Sequence, residues 1–263
     1  MHLEFTKYHG AGNDFIMIDG FKNKEINQHL SKSDINSLCK RHFGIGADGL
    51  IIIKELEGYD LEMIYYNADG AISSMCGNGG RCTVHFAYSL GYVGKEMSFL
   101  AADGPHQGQI EAEGVSISMS PVGKVEAIDD QNVYMNTGSP HYVSRLDVDL
   151  NGLSSLNLVS KARSIRYNDR FAEEGTNVNY IVEGENKLHI RTYERGVEDE
   201  TLACGTGVVA AAIMSRQGLV GPQSVSVQAK GGLLRVDFDV DEAYTNIRLF
   251  GPAQSVFTGH IEI

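Results

Sequence analysis

A chain of 263 residues is long enough for one large barrel or for two domains of about 130 residues, and either buries a real core. With 42% hydrophobic and 21% charged residues and no apolar run near the roughly eighteen residues of a membrane helix, a spanning protein is excluded. The formal charge of −12 repels a phosphate backbone and excludes nucleic acid as a partner. The first ten residues have neither a basic stretch nor an apolar core, so the expected compartment is the cytoplasm. Cys39, Cys76, Cys82 and Cys204 are too irregularly spaced for a disulfide framework or a zinc pattern.

In chain order, an amphipathic helix is expected near 34–43, stopped by Gly44. The alternating run Leu61–Tyr66 reads as a strand, followed by the turn Met75-Cys76-Gly77-Asn78-Gly79 and a helix that ends at Gly91. A further helix is expected near 153–163. The alternation of Leu188–Tyr193 gives another strand, followed by Ala203-Cys204-Gly205-Thr206-Gly207. The stretch Gly207–Met214 is apolar on every side, which on a helix means burial all round, and Gly218 is its stop. Short strands follow at Ser224–Gln228 and Gly232–Phe238. The charge run Glu198, Asp199, Glu200 reads as a solvated turn, and Cys39 and Cys82 as packing residues.

The two Cys-Gly-x-Gly segments belong to a longer repeat. Tyr66-Asn67-Ala68-Asp69-Gly70 and Tyr193-Glu194-Arg195-Gly196 precede them, and Gly91-Tyr92-Val93-Gly94 and Gly218-Leu219-Val220-Gly221 follow, with offsets that agree to about one residue. A period of about 130 residues is too long for a solenoid and implies two similar domains. The expected class is α+β: two pseudo-symmetric domains, each a curled, mainly antiparallel sheet around a central buried helix. The expected halves are 1–122, carrying Cys76 and taking back the C-terminal tail (about 254–263), and 123–263, carrying Cys204.

A cysteine just before a helix lies where backbone N–H groups point outward without partners and the helix dipole is positive. Such a place lowers a thiol's pKa and binds a carboxylate. Two thiols on opposite sides of one substrate suit inversion of a stereocentre, because one thiolate removes a proton and the opposed thiol delivers one to the other face. No P-loop, dinucleotide fingerprint or metal cluster is visible, so neither a cofactor nor a metal is expected.

Gly10-Ala-Gly-Asn-Asp-Phe15, Arg41-His-Phe-Gly-Ile-Gly-Ala-Asp48, Asn67-Ala-Asp-Gly70, Met75-Cys-Gly-Asn-Gly-Gly-Arg-Cys82, Ser139-Pro-His141 and the run Glu194–Gly207 together resemble the diaminopimelate epimerase family, in order and over nearly the whole chain. The resemblance implies a cofactor-independent isomerase that interconverts LL- and meso-diaminopimelate in lysine and peptidoglycan precursor biosynthesis, usually as a homodimer. It implies Cys76 and Cys204 as the acid/base pair and Gly77, Asn78, Gly205 and Thr206 as donors to the α-carboxylate. Asn13, Asn67, Asn177, Glu194 and Arg195 would hold the distal amino-acid head, and His141 and Glu194 would adjust the thiols. Ser139 stands where many members have Asn. A proline racemase or hydroxyproline epimerase shares the paired cysteines, but Asn78 and the Glu194-to-Cys204 spacing argue against it. The reading from a different class is a thiol redox or small-ligand binding protein, which would exchange no α-hydrogen.

Overall fold

The computed structural model describes residues 2–24, 26–73 and 75–263. Strands β1 (His2–Gly10) and β2 (Asn13–Asp19) are followed by helices α1 (Ile26–His29) and α2 (Lys32–Cys39), strands β3 (Gly49–Leu56) and β4 (Tyr59–Asn67), and helix α3 (Gly77–Ser89). Then come β5 (Glu96–Ala101), β6 (Gly104–Glu111), β7 (Gly114–Ser118), β8 (Glu126–Ala127), β9 (Asn132–Asn136) and β10 (Pro140–Arg145). Helices α4 (Leu150–Ser155) and α5 (Leu158–Arg166) lead to β11 (Asn177–Glu183), β12 (Leu188–Glu194), β13 (Asp199–Thr201) and helix α6 (Gly205–Ser215). Strands β14 (Gly221–Ala229), β15 (Gly232–Val240), β16 (Tyr244–Gly251) and β17 (Gln254–Glu262) close the chain. Among the described residues, no helix is long and apolar enough to cross a membrane.

Backbone contacts divide the chain into two compact units, Met1–Ile117 with Gly251–Ile263, and Ser118–Phe250. The boundary expected at 122/123 lies just past this division. Residues 119–122 are tied to β16 by Met119 N–H donating to Ile247 O and by paired bonds between Val122 and Tyr244.

In the first unit the strands run β17-β1-β2-β3-β4-β5-β6-β7, antiparallel except at β2–β3 and β4–β5. A parallel step needs a crossover, and the sequence supplies α1 and α2 for one and α3 for the other. Leu50–Ile53 of β3 are fully buried, as a strand covered on both faces must be. One face packs Ile16, Ile18, Leu50 and Ile52 against Ile35 and Leu38 of α2. On the other lies α3, in contact with β1, β2, β3, β4, β6 and β17.

The second unit repeats this order as β8-β9-β10-β11-β12-β14-β15-β16, parallel at β10–β11 and β12–β14. Its crossovers are α4 with α5, and α6. Helix α6 touches β9, β10, β11, β12, β14 and β15, and Val208 to Met214 are all buried, at about 1.5–3 kcal/mol for each large apolar side chain. The sequence periodicity and the all-round burial agree. On the outer face, Leu153, Leu158 and Ala162 of α4 and α5 cover Val178, Tyr180 and Val182 of β11. The fold is α+β, with two similar halves built mainly of antiparallel strands.

Three local expectations are corrected. The first helix starts earlier, at Lys32, because Ser31 and Asp34 form a reciprocal capping box, and it ends at Cys39 where Lys40 turns extended. The helix expected near 153–163 is two helices, α4 capped by Asp149 and α5 starting after Asn157, since Leu156 between them adopts ψ 127°. Glu198 is half-buried and anchored rather than freely solvated: it accepts from Tyr167 and Tyr193 hydroxyls and Gly196 N–H and pairs with Arg166. Burial alone would raise its pKa, but those donors outweigh it and hold the carboxyl at about 2.

A second anchored carboxylate lies in the first unit. Lys7, only 7% exposed, pairs with Asp14 at 2.7 Å, and Arg41 bridges Asp14 and Asp48. Burial pushes the Asp14 pKa up, but Arg41 and Lys7 overcome this and lower it to about 2. A carboxyl depressed in the folded state contributes stability in full above its unfolded value of about 3.9, and loses it as pH falls through the folded value. Stability should therefore decline between about pH 4 and 2 with a slope that Asp14→Asn removes. Urea melts across that range check this; parallel pH profiles for the two proteins would count against it.

Candidate active site

Each cysteine of interest is an N-cap. Cys76 precedes α3 with φ −110° and ψ 124°, and Cys204 precedes α6 with φ −110° and ψ 112°. Neither side chain caps its helix, so the sulfurs are turned to other partners. The first intrahelical bonds are Gly80 N–H to Cys76 O, 2.7 Å, and Val208 N–H to Cys204 O, 2.9 Å. Helix geometry leaves the N–H groups of the preceding first-turn residues without an i−4 carbonyl. These are Gly77, Asn78 and Gly79 in one unit and Gly205, Thr206 and Gly207 in the other.

The second glycine of each Cys-Gly-x-Gly has a packing reason. A Cβ on Gly79 would come within 2.9 Å of Ile51 Cδ1, and one on Gly207 within 2.5 Å of Asn179 Oδ1. At both places a larger residue would have to displace the side chain that packs against the glycine, Ile51 in one unit and Asn179 in the other.

In the first unit, Cys76 Sγ–H donates to Asn13 Oδ1 at 3.4 Å, and Asn78 Nδ2 donates to the same oxygen at 3.3 Å. The Asn13 amide is held by Nδ2 donating to the Asp48 carboxylate, 2.6 Å. Arg81 is fully buried and donates to Pro252 O, Gly77 O and Asn78 Oδ1. Burial lowers the Arg81 pKa to about 10, still leaving it charged at neutral pH. Asn67 is exposed at the end of β4, where its N–H donates to Ala71 O.

In the second unit, β10 and β11 lie parallel with His141 opposite Asn177, and the strand's period of two puts Asn177 and Asn179 on one face. Cys204 Sγ lies 3.4 Å from Thr206 Oγ1, which lies 2.8 Å from His141 Nε2. On the ring's other side, Asn179 Nδ2 lies 3.0 Å from His141 Nδ1. His141 has no exposed surface, and burial together with the Arg195 charge pushes its pKa down to about 3. Asn177 donates to Ser139 Oγ and Pro140 O and accepts from Arg195 N–H. Glu194, half-buried, ends β12 directly before Arg195, whose guanidinium donates to Glu174 O.

Of the expected site residues, Cys76, Asn13, Gly77 and Asn78 thus cluster in one unit, and Cys204, Gly205, Thr206, His141 and Asn177 in the other, with Asn177 tied to the Glu194–Arg195 turn. Asn179, Asp48 and Arg81 were not expected there. The alternation Asn177-Val178-Asn179 held the signal for Asn179, since both amides had to share the face of a strand. Cys39 and Cys82 are buried packing residues. Burial and the nearby Asp14 charge push the Cys39 pKa to about 11, and burial drives the Cys82 thiol further up.

The sequence profile of the family described as diaminopimelate epimerase matches residues 5–126 and 133–256. The chain belongs to the diaminopimelate epimerase family. It is 43% identical to a diaminopimelate epimerase of Flavobacterium psychrophilum over 259 residues, covering 97% of this chain and 98% of that protein. A second, from Aquifex aeolicus, is 38% identical over 279 residues, 98% of each chain. Among solved structures, a Bacillus anthracis phenazine biosynthesis protein of the PhzF family superposes with TM-score 0.75 over the whole of both chains at 14% identity. A hydroxyproline epimerase from Agrobacterium vitis gives TM-score 0.70 at 13% identity, covering 99% of this chain and 92% of the other. At such identities these two structures speak to the fold alone, and the family membership rests on the sequence relatives.

Proposed function

We propose that this member of the diaminopimelate epimerase family converts LL-2,6-diaminopimelate to meso-diaminopimelate without pyridoxal phosphate, using Cys76 and Cys204 as the acid/base pair. The observation that carries this is the duplicated N-cap cysteine, each with its own glycine-bearing first turn, in a chain so closely related to proteins of that name. One sulfur, as thiolate, takes the α-proton; the other, as thiol, protonates the opposite face of the resulting carbanion. The reading requires both sulfurs to reach one α-carbon. First-turn N–H groups of Gly77, Asn78, Gly205 and Thr206 would hold the α-carboxylate and the charge that develops beside it, each contact contributing about 3 kcal/mol by analogy with oxyanion-hole donors.

The distal head carries both an ammonium and a carboxylate, so it needs an anionic acceptor beside a guanidinium fork, and Glu194 with Arg195 offers that pair. Asn13, Asn67 and Asn177 complete the binding set, Asn177 by fixing the Arg195 backbone. His141 and Glu194 adjust the thiols. The product would serve lysine and peptidoglycan precursor synthesis in the cytoplasm. A homodimer fits the strand β17, which leaves Val256 and Phe257 half exposed; the acidic net charge leaves no reason to expect nucleic acid.

The deciding experiment incubates LL-diaminopimelate with the reduced protein in D2O, without added pyridoxal phosphate or metal, followed by chiral analysis and mass spectrometry. Meso product carrying one α-deuteron is the expected result, whereas a thiol redox or binding protein would leave the substrate unlabelled. Within the same reading, Arg195→Lys should lose about 1.5–3 kcal/mol of transition-state stabilisation, roughly ten- to a hundred-fold in kcat/KM, because an ammonium does not reproduce the bidentate fork. An unchanged kcat/KM would remove Arg195 from the site.

A further inference from the structure

The hydrogen bonds behind Cys204 have a fixed direction that starts three residues away. Asn179 Nδ2 lies 3.0 Å from the Tyr142 carbonyl, which only accepts, and Asn179 Oδ1 takes the Thr192 hydroxyl at 2.9 Å. These two bonds settle the amide's orientation, so Nδ2 also donates to His141 Nδ1. A neutral imidazole that accepts at Nδ1 carries its proton on Nε2. Nε2–H therefore donates to Thr206 Oγ1 at 2.8 Å. Asn177 Nδ2, 3.4 Å from Nε2, spends its two protons on Ser139 Oγ and Pro140 O and so does not compete. With its oxygen engaged by the imidazole, the Thr206 hydroxyl directs its own proton to Cys204 Sγ, 3.4 Å away.

We propose that Asn179 is a positioning residue for Cys204: by fixing the tautomer of His141 it turns the Thr206 hydroxyl into a donor to the sulfur and so favours the thiolate. A hydrogen bond donated to the charged form of an acid stabilises that form. The proposal rests on the reading of Cys204 as an acid/base group and adds the residues that set its protonation. Charged and titratable groups on the strands around the start of α6 are His141 on β10 and Glu194 with Arg195 at the end of β12. Arg191 is engaged by Glu200, and Arg235 by Asp237. The other sulfur meets the opposite chemistry, since Asn13 offers Cys76 an acceptor held in place by Asp48. Cys76 thus serves as an internal reference.

The test is the pH dependence of iodoacetamide alkylation at each cysteine, read by peptide mass spectrometry in the full-length reduced protein. A midpoint reports the thiolate fraction independently of access. Thr206→Val and Asn179→Leu should each raise the Cys204 midpoint by roughly one pH unit, Thr206→Ser should restore it, and the Cys76 midpoint should stay put in all three. An unmoved Cys204 midpoint in Thr206→Val, or equal shifts at both cysteines, overturns the proposal. Should Asn179→Leu fail to fold, nitrogen NMR of the wild-type imidazole decides: a proton on His141 Nε2 supports the wiring and one on Nδ1 overturns it. No substrate is needed for these readings. A wild-type protein that failed to epimerise diaminopimelate yet showed the shifts would support the wiring and overturn only the functional reading.

Discussion

Replacing either Cys76 or Cys204 by serine lowers epimerisation by about 10²–10⁴-fold, the usual worth of a positioned acid or base. Serine preserves the size and the hydrogen-bonding hydroxyl, but it is far too weak an acid to supply the thiolate. The two variants should also differ from a simple loss of folding. Each keeps one competent sulfur, so each should still exchange the α-proton of one isomer with solvent on the face that sulfur reaches, while failing to invert it. Chiral mass spectrometry in D2O separates the two events. Near wild-type epimerisation in either variant, or equal exchange of both isomers in both variants, would falsify the two-base reading. The double variant should do neither.

What the sequence revealed of this site, and what it concealed, follows from which interactions leave a periodic mark. The all-apolar run behind Cys204 could only be a helix buried on every side, and the alternation in Leu61–Tyr66 and Leu188–Tyr193 marked the strands that deliver each turn. Duplication then located the second half, because the same strand order and the same parallel steps recur in both units. Strand β13 left no such trace: Asp199 and Glu200 read, with Glu198, as a charged turn, yet Asp199, Glu200 and Thr201 pair with β12, and Glu200 is held by Arg191 and Lys230. The break between α4 and α5 was hidden for the opposite reason. Leu153, Leu158 and Ala162 bury against one cluster, so the hydrophobic pattern continues across a backbone that does not. Buried polar residues are the hardest class, since composition treats Arg81, Lys7 and Asn179 as surface. Their burial is compensated by long-range partners that sequence distance conceals, such as Pro252 for Arg81.

Arg81 also gives the largest expected effect on stability. Its side chain is fully buried and its donors reach Pro252 O at 3.3 Å, Gly77 O at 3.3 Å and Asn78 Oδ1 at 2.8 Å. Replacing a buried ion pair by apolar groups is often harmless because both charges leave together. Arg81→Met differs, because the guanidinium's hydrogen-bond partners are neutral oxygens that stay behind. Leaving buried acceptors unsatisfied costs about 1–3 kcal/mol each, so a total near 3–5 kcal/mol is expected, less whatever desolvation cost the lost charge had imposed. For a chain of this size that corresponds to a fall in Tm of roughly 6–20 °C. Arg81→Lys keeps a charge but reaches fewer of the three oxygens, and should fall between the two. The damage should extend to the site, since the Arg81 bond fixes Asn78 Oδ1 and thereby aims Asn78 Nδ2 at Asn13, the residue that meets the Cys76 sulfur. Thermal melts of the three proteins, paired with the alkylation midpoint of Cys76, measure both consequences. A Tm within 2–3 °C or so of wild type for Arg81→Met would mean that water reaches these oxygens and that the guanidinium is not what holds the first turn of α3.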